Sequence, residues 1–365
     1  MFKNVKSSEN ILLFKLTLLG LLVYKLSTYK LWMISDRIFP VVSVSDKFQI
    51  TDEIFHNVFF FLSLILISIL IFRVYKTLLI PLIAVELILL ATDVLRWQPT
   101  VYQYFLSIII YRISPKYFKS YLLLLLSATY FYAGLNKFDL NFVNVNWSRT
   151  ILLQFLEIPY EYVDLKPVKA LGFIIPSIEL GSGILLLTPW RKKALILVIL
   201  THTFIIAFIL KLGFFGDISV AILSWNFIML AYAFVYFYKP FCEKLKFNIT
   251  TSCWIVVLYI LPFLNLFGKY YPYFSFEIYS GAKFTFHINI KLENDTKLAA
   301  YVEEENTNYL NHDVSMLAYN ELGAPLPQYK WLYKRFISAY RRDFPKTKPC
   351  FDISYYPFKT KERFE

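Results

Sequence analysis

Lys137 closes the run Tyr130-Phe131-Tyr132-Ala133-Gly134-Leu135-Asn136-Lys137-Phe138-Asp139. An ammonium at the end of so apolar a stretch has two readings. It can snorkel along the bilayer edge until it meets water. It can also stay partly desolvated, a setting that disfavours the ammonium and leaves the amine able to act as a general base. Glu86, Asp93, Glu179 and His202 also stand in or at the ends of apolar stretches, with Asn226 as an uncharged member of the group. A charge at the centre of a bilayer costs about 2.5–3.5 kcal/mol on insertion scales, so each must face protein, water or a ligand. Lys137 and His202 are therefore the candidate proton-transfer groups.

Glu86 and Asp93 are seven residues apart, two helical turns, and share one face. They serve either a site or buried hydroxyl and backbone partners. Asp93 leads into Arg96-Trp97-Gln98-Pro99, where Pro99 breaks the helix and frees polar side chains. Tyr102 and Tyr104 follow, so Asp93, Arg96, Gln98 and Tyr102 form a candidate ligand-binding rim; an interfacial aromatic belt explains the Trp and Tyr equally well. Glu179 lies in Pro176-Ser177-Ile178-Glu179-Leu180-Gly181-Ser182-Gly183, whose small residues permit close helix packing without accounting for the carboxylate. His202 is either a hydrogen-bonded strut between helices or a proton carrier. It has no His or Cys near it in sequence to suggest a metal, and Cys242, Cys253 and Cys350 match neither a disulfide framework nor a ligand spacing.

The elements that must position these groups are membrane helices. The 365 residues are 57% hydrophobic, with a mean hydropathy of +0.50, too apolar for a soluble domain, and the apolar residues arrive in blocks. The net charge of +12 does not indicate a nucleic-acid partner, because Lys and Arg cluster between the apolar runs as topology signals do. About 20 mainly apolar residues cross a hydrocarbon core. By that measure nine spans are expected, over residues 11–34, 54–74, 77–95, 98–112, 117–136, 170–189, 193–212, 218–238 and 251–268. The first carries Lys15, Lys25 and Lys30 and the fourth is short. With the N-terminus inside, the cytoplasmic segments hold thirteen Lys and Arg, among them Arg73, Arg112, Lys119 and the run Arg191 to Lys193. The opposite loops hold eight, accompanied by acids such as Asp36, Asp46 and Asp164. The basic excess favours N-in and C-out. In the longest loop, Trp147 to Glu157 reads as an interfacial amphipathic helix. Beyond Lys269 the composition shifts: Phe284 to Ile290 alternates as a half-buried strand, and Pro327 to Phe344 reads as a basic amphipathic helix.

The run Tyr-Phe-Tyr-Ala-Gly-Leu-Asn-Lys-Phe-Asp ending around Lys137 resembles the segment Tyr-Phe-Ile-Ala-Gly-Val-Lys-Lys-Leu-Asp of vitamin K-dependent gamma-glutamyl carboxylases. The membrane part of those enzymes defines the horizontally transferred transmembrane (HTTM) domain superfamily. Further similarities follow in the same order: Glu179 before small residues, the basic turn Arg191 to Lys193, a helix with His202, and Phe274-Ser275-Phe276 where the carboxylases have Phe-Ser-Trp. The likeness covers roughly residues 80–290. It implies that Lys137 matches the lysine that deprotonates the reduced quinone cofactor. Two features depart from the carboxylase pattern. The stretch Trp97 to Tyr102 lacks the His of the carboxylases' Asn-His-Ser-Tyr run, and the region after the last span is reduced to about a hundred residues.

The expected fold is an all-α polytopic membrane bundle of about nine helices over residues 1–268, followed by a small α+β extracytoplasmic domain over residues 269–365. A cavity near the outer face is expected, lined by Asp93, Gln98, Lys137, Glu179 and His202, with Arg96, Tyr102 and Asn226 as further ligand contacts. Two classes of function compete. One binds a lipid-soluble molecule such as a quinone, with Lys137 and His202 doing proton chemistry. The other is a non-catalytic membrane subunit or assembly factor of a larger envelope complex, joined through the C-terminal domain. Membrane lipids are the expected surroundings, and a bacterial inner membrane with a periplasmic C-terminus the expected location.

Overall fold

The computed structural model describes residues 2–35, 37, 39–212, 217–239, 244–277, 280, 284–291, 309–345, 350–355 and 360–364; Asp36 and Cys242 lie outside them. The longer helices are α1 (Phe2–Ser27), α2 (Glu53–Phe72), α3 (Leu79–Thr92), α4 (Pro99–Ile113), α5 (Phe118–Leu135), α6 (Ile174–Leu185), α7 (Arg191–Leu212), α8 (Asp217–Tyr238), α9 (Ile249–Ile255), α10 (Val314–Leu322) and α11 (Lys330–Asp343). Their starts follow local chemistry. The Asp52 carboxylate accepts from the amides of Ile54 (2.8 Å) and Phe55 (3.3 Å) to cap α2. Pro99, with no amide hydrogen to lose, opens α4.

Among the described residues six helical segments are long and apolar enough to cross a membrane: Ser8–Ser27, Glu53–Phe72, Lys166–Leu185, Arg191–Lys211, Val220–Tyr238 and Ile249–Phe267. The chain is a multi-pass membrane protein. Residues such as Ile54, Val58, Phe61, Ile65 and Phe72 turn an apolar face of α2 outward, a surface that water would penalise and lipid would not. The other three expected spans fall short of the full measure. At 1.5 Å per residue, the 14 residues of α3 and 15 of α4 reach about 21–23 Å, against a hydrocarbon core of about 30 Å. α5 carries Lys119 and several hydroxyls, yet 16 of its 18 residues are buried. It is the central helix, surrounded by protein, so it does not need a lipophilic surface.

The segment expected to be an interfacial amphipathic helix is instead a π-helix over Phe142–Phe155, whose wider turn shows in the bond from the Leu156 amide to the Ile151 carbonyl (2.9 Å). The strand and helix expected beyond residue 269 are both present. β1 (Phe284–Lys291), β2 (Tyr309–Asp313), β3 (Cys350–Tyr355) and β4 (Thr360–Phe364) form an antiparallel sheet in the order β2-β1-β3-β4. Phe286 pairs with Ile353 and Ile288 with Phe351, which places Phe286 and Phe351 against α11, where the Phe286 ring stacks on Tyr333 (4.2 Å). This unit is bolted to the helices. Glu321 accepts from the Phe39 amide, Arg335 pairs with Asp46 (2.9 Å), and Gln98 donates to the Pro325 carbonyl (3.2 Å).

Candidate functional site

The site is built on the contact between α5 and α6. Gly134 lies so close to α6 that a Cβ there would sit 2.6 Å from the Pro176 carbonyl oxygen, and one on Gly183 would sit 2.5 Å from the Phe131 amide nitrogen. Ser127 donates to the Gly183 carbonyl across the seam (2.6 Å). The small residues let the backbones touch, and that contact carries the charges into register. Lys137, two residues beyond the end of α5, places its ammonium 2.5 Å from Glu179 on α6, and both side chains are buried. Lys137 does not extend to solvent, so the snorkelling reading fails.

Two turns back on α5, Tyr130 meets His202 of α7, with Oη 2.6 Å from Nε2. The other ring nitrogen of His202, Nδ1, is 2.6 Å from Asn226 Oδ1 on α8. The two groups adjoin. Tyr130 and Lys137 stand seven residues apart along α5 and its end, which sets the two groups one above the other. Four of the expected site residues, Lys137, Glu179, His202 and Asn226, therefore gather around the C-terminal half of α5.

The other four form a neighbouring region. Asp93 binds Arg37 (2.7 Å), not Lys137, and its carboxylate also caps the turn that follows by accepting from the Leu95 amide (3.1 Å). Arg96 is fully buried and donates to the carbonyls of Leu31, Leu89 and Trp32, to Thr92 and to His56 Nδ1. Gln98 is spent on the carbonyls of Leu95 and Pro325. Tyr102 stacks on Phe274 (4.5 Å), which also stacks on Trp97 (5.0 Å). The bend therefore packs on the Phe274-Ser275-Phe276 segment after the last membrane helix. Glu86 faces protein, accepting from Ser63 (2.5 Å) and pairing with Lys25 (2.9 Å).

An open groove of about 400 Å³ runs along another face of α6, lined by residues that include Phe173, Ile174, Ser177, Ile178 and Gly181, but neither Lys137 nor Glu179. Among the described residues no group of three or more His, Cys, Asp or Glu could hold a metal. The partners that sequence reading left off the shortlist are Lys25, Arg37, His56, Tyr130, Asn265 and Glu277. His56 and Asn265 stand in apolar helices and meet the same test that singled out Glu179. Arg37 and Glu277 lie outside helices, where nothing in the sequence marks them. Asn265 donates to Glu277 (2.7 Å), and Asn136, next to Lys137, donates to the Ser275 carbonyl (2.9 Å), which ties the end of α5 to the Phe274-Phe276 segment.

No protein-family model matches the chain, and no curated protein or solved structure shows significant similarity to it.

Proposed function

We propose that this is a membrane protein of the vitamin K-dependent carboxylase-like (HTTM) class that binds a lipid-soluble ligand such as a quinone near the outer face. Lys137 and His202 carry the proton chemistry, and Asp93, Arg96, Gln98, Tyr102, Glu179 and Asn226 shape the surroundings. All nine helical segments expected from the sequence cross or enter the membrane, with the N-terminus inside and the C-terminal domain in the periplasm. The observation that carries the reading is the buried Lys137–Glu179 pair beside the Tyr130–His202–Asn226 chain. In an apolar site a salt bridge repays its desolvation only with good geometry. The pair and the chain beside it bring donors and acceptors of protons together in an apolar setting, the arrangement that proton transfer with a ligand hydroxyl needs. The test is purification in mild detergent with mass spectrometry of what co-purifies. A quinone or related lipid should accompany the wild type and be lost from Lys137→Ala, while that variant still inserts into the membrane.

A second reading rests on a different observation. The buried cations Lys25, Arg37, Lys119 and Lys137 each already have a carboxylate partner, as struts in a scaffold would. On that reading the protein is a non-catalytic subunit or assembly factor that meets its envelope partner through the C-terminal domain. A stable protein partner in the same purification, with no bound lipid-soluble ligand, would favour it.

A further inference from the structure

The groove on α6 has apolar walls and a basic end. It follows the 12 residues of α6, Ile174 to Leu185, for about 18 Å, slightly more than one leaflet of a hydrocarbon core about 30 Å thick. Its one hydroxyl, on Ser177, donates to the Phe173 carbonyl (2.7 Å) and so offers no hydrogen to an occupant. Gly181 makes the room: a Cβ built there meets nothing within 4 Å. Leu185 on α6 and Leu197 on α7 line the end nearest the turn between the two helices. Arg191, Lys192 and Lys193 form the first turn of α7, and from Leu180 to Gly216 the chain contains no acidic residue. A helix start favours negative charge, because its free amides and its dipole are positive there, so three cations at this one are an unfavourable set by themselves. Lys193 stands one turn before Leu197 on the same face of α7, over the end of the groove. Its ammonium lies 5.0 Å from the centre of the exposed Trp190 ring, and among the described residues neither Lys192 nor Lys193 meets a carboxylate.

We propose that this groove and the turn beside it bind an acidic phospholipid of the leaflet that holds the α6–α7 turn, with one acyl chain lying along α6 and the phosphate on Lys192 and Lys193. The two halves of the site call for different chemistry and are joined end to end. Apolar walls without a free donor suit a hydrocarbon chain and give a polar ligand nothing to hold. A negative headgroup supplies the charge that the start of α7 lacks, and lysines at the membrane surface attract it strongly. A second copy of the chain is the competing cover for this face. Docked about a two-fold axis along the membrane normal, it would bring its own Arg191 to Lys193 to the same level, like charge against like charge. Neither Lys137 nor Glu179 lines the groove, so the site is independent of the buried polar cluster.

The probe is a phosphatidylglycerol with a diazirine in its acyl chain, photolysed with the full-length protein in detergent, and the adducts are placed by peptide mass spectrometry. In the wild type they should fall between Phe173 and Leu197, and unlabelled phosphatidylglycerol should compete about 30-fold better than phosphatidylcholine, the factor that two lysines near a membrane surface supply. Lys192→Gln combined with Lys193→Gln should bring the two competitors within about threefold of each other. Gly181→Leu, whose side chain enters open space and leaves the helix contacts alone, should lower the yield of these adducts about tenfold. Adducts spread over all the lipid-facing helices, or equal competition by the two lipids in the wild type, overturn the site. An unchanged yield in Gly181→Leu overturns it too, since the chain is then seated elsewhere. A change from dimer to monomer in that variant, read by light scattering of the detergent complex, overturns it in favour of a second copy.

Discussion

The Lys25 ammonium on α1 and the Glu86 carboxylate on α3 lie 2.9 Å apart with side-chain exposures of 0% and 2%, and the same ammonium rests 3.6 Å from the centre of the Trp32 ring. Ser63 on α2 donates to the same carboxylate, so three helices are pinned by one ion pair. Removing one partner leaves the other charge buried and uncompensated. Lys25→Ala or Glu86→Ala should each lose about 3–5 kcal/mol, whereas the apolar double replacement Lys25→Met with Glu86→Leu should come much closer to wild type. Unfolding in a graded mixture of mild and denaturing detergent measures this; single and double variants of equal stability would mean the pair is not coupled.

Arg96 spends all five of its N–H groups on five acceptors, the carbonyls of Leu31, Trp32 and Leu89, the Thr92 hydroxyl and His56 Nδ1. Lysine keeps the charge but offers three donors from a single point, so Arg96→Lys should cost about 2–4 kcal/mol despite its conservative appearance. The same unfolding assay reads the loss, and a variant within 0.5 kcal/mol of wild type, the usual range for a surface change, would contradict the clamp.

Gly134 and Gly183 face backbone across the α5–α6 seam, whereas a Cβ added to Gly181 on the outer side of α6 meets nothing within 4 Å. Gly134→Ala and Gly183→Ala should therefore push the helices apart at a cost of about 1–3 kcal/mol and weaken the Lys137–Glu179 contact, while Gly181→Ala is neutral. Equal effects at all three positions in thermal unfolding would rule out close packing as the cause.

The basic-loop excess predicts a C-terminus on the far side of the membrane. A reporter active only in the cytoplasm, fused after Glu365, should stay silent, and one active only in the periplasm should give signal. The reverse pattern would mean that one helix fewer crosses than expected.

Lys330 on α11 and Glu362 on β4 pair at 2.8 Å, joined by the Tyr355 hydroxyl. The hydrogen bond with Lys330 holds the Glu362 carboxyl below its ordinary value of 4.5, and the bond with Glu362 lifts Lys330 above its ordinary 10.5. Glu362 therefore contributes stability above the unfolded carboxylate value that is lost as pH falls through the lowered one. Lys330 contributes below its unfolded value and loses that contribution as pH rises through the raised one. The pair is largely open to solvent, so salt screens it and its worth is under about 1 kcal/mol. Glu362→Gln should flatten the acid limb of the C-terminal domain's unfolding profile, and an unchanged limb would show that the pair adds nothing.

The membrane character was legible in the chain because hydrocarbon sorts residues by type alone. Twenty apolar residues declare a span whatever their neighbours, and a lone Glu86, Glu179 or His202 in such a run declares that it must be buried against protein. The alternation at Phe286 and Ile288 and the amphipathic run before Phe344 were equally local signals, and both elements formed. α5 was readable as a helix but not as the bundle's central one, since its burial comes from neighbours that the sequence does not name. The partnerships were not readable at all. Nothing in the chain sends Asp93 to Arg37, Lys25 to Glu86 or Tyr130 to His202, separated by 56, 61 and 72 residues, because a carboxylate or imidazole accepts any donor that arrives at the right distance. Helix crossing decides which donor arrives, and the crossing is set by where small residues such as Gly134 and Gly183 let two backbones touch.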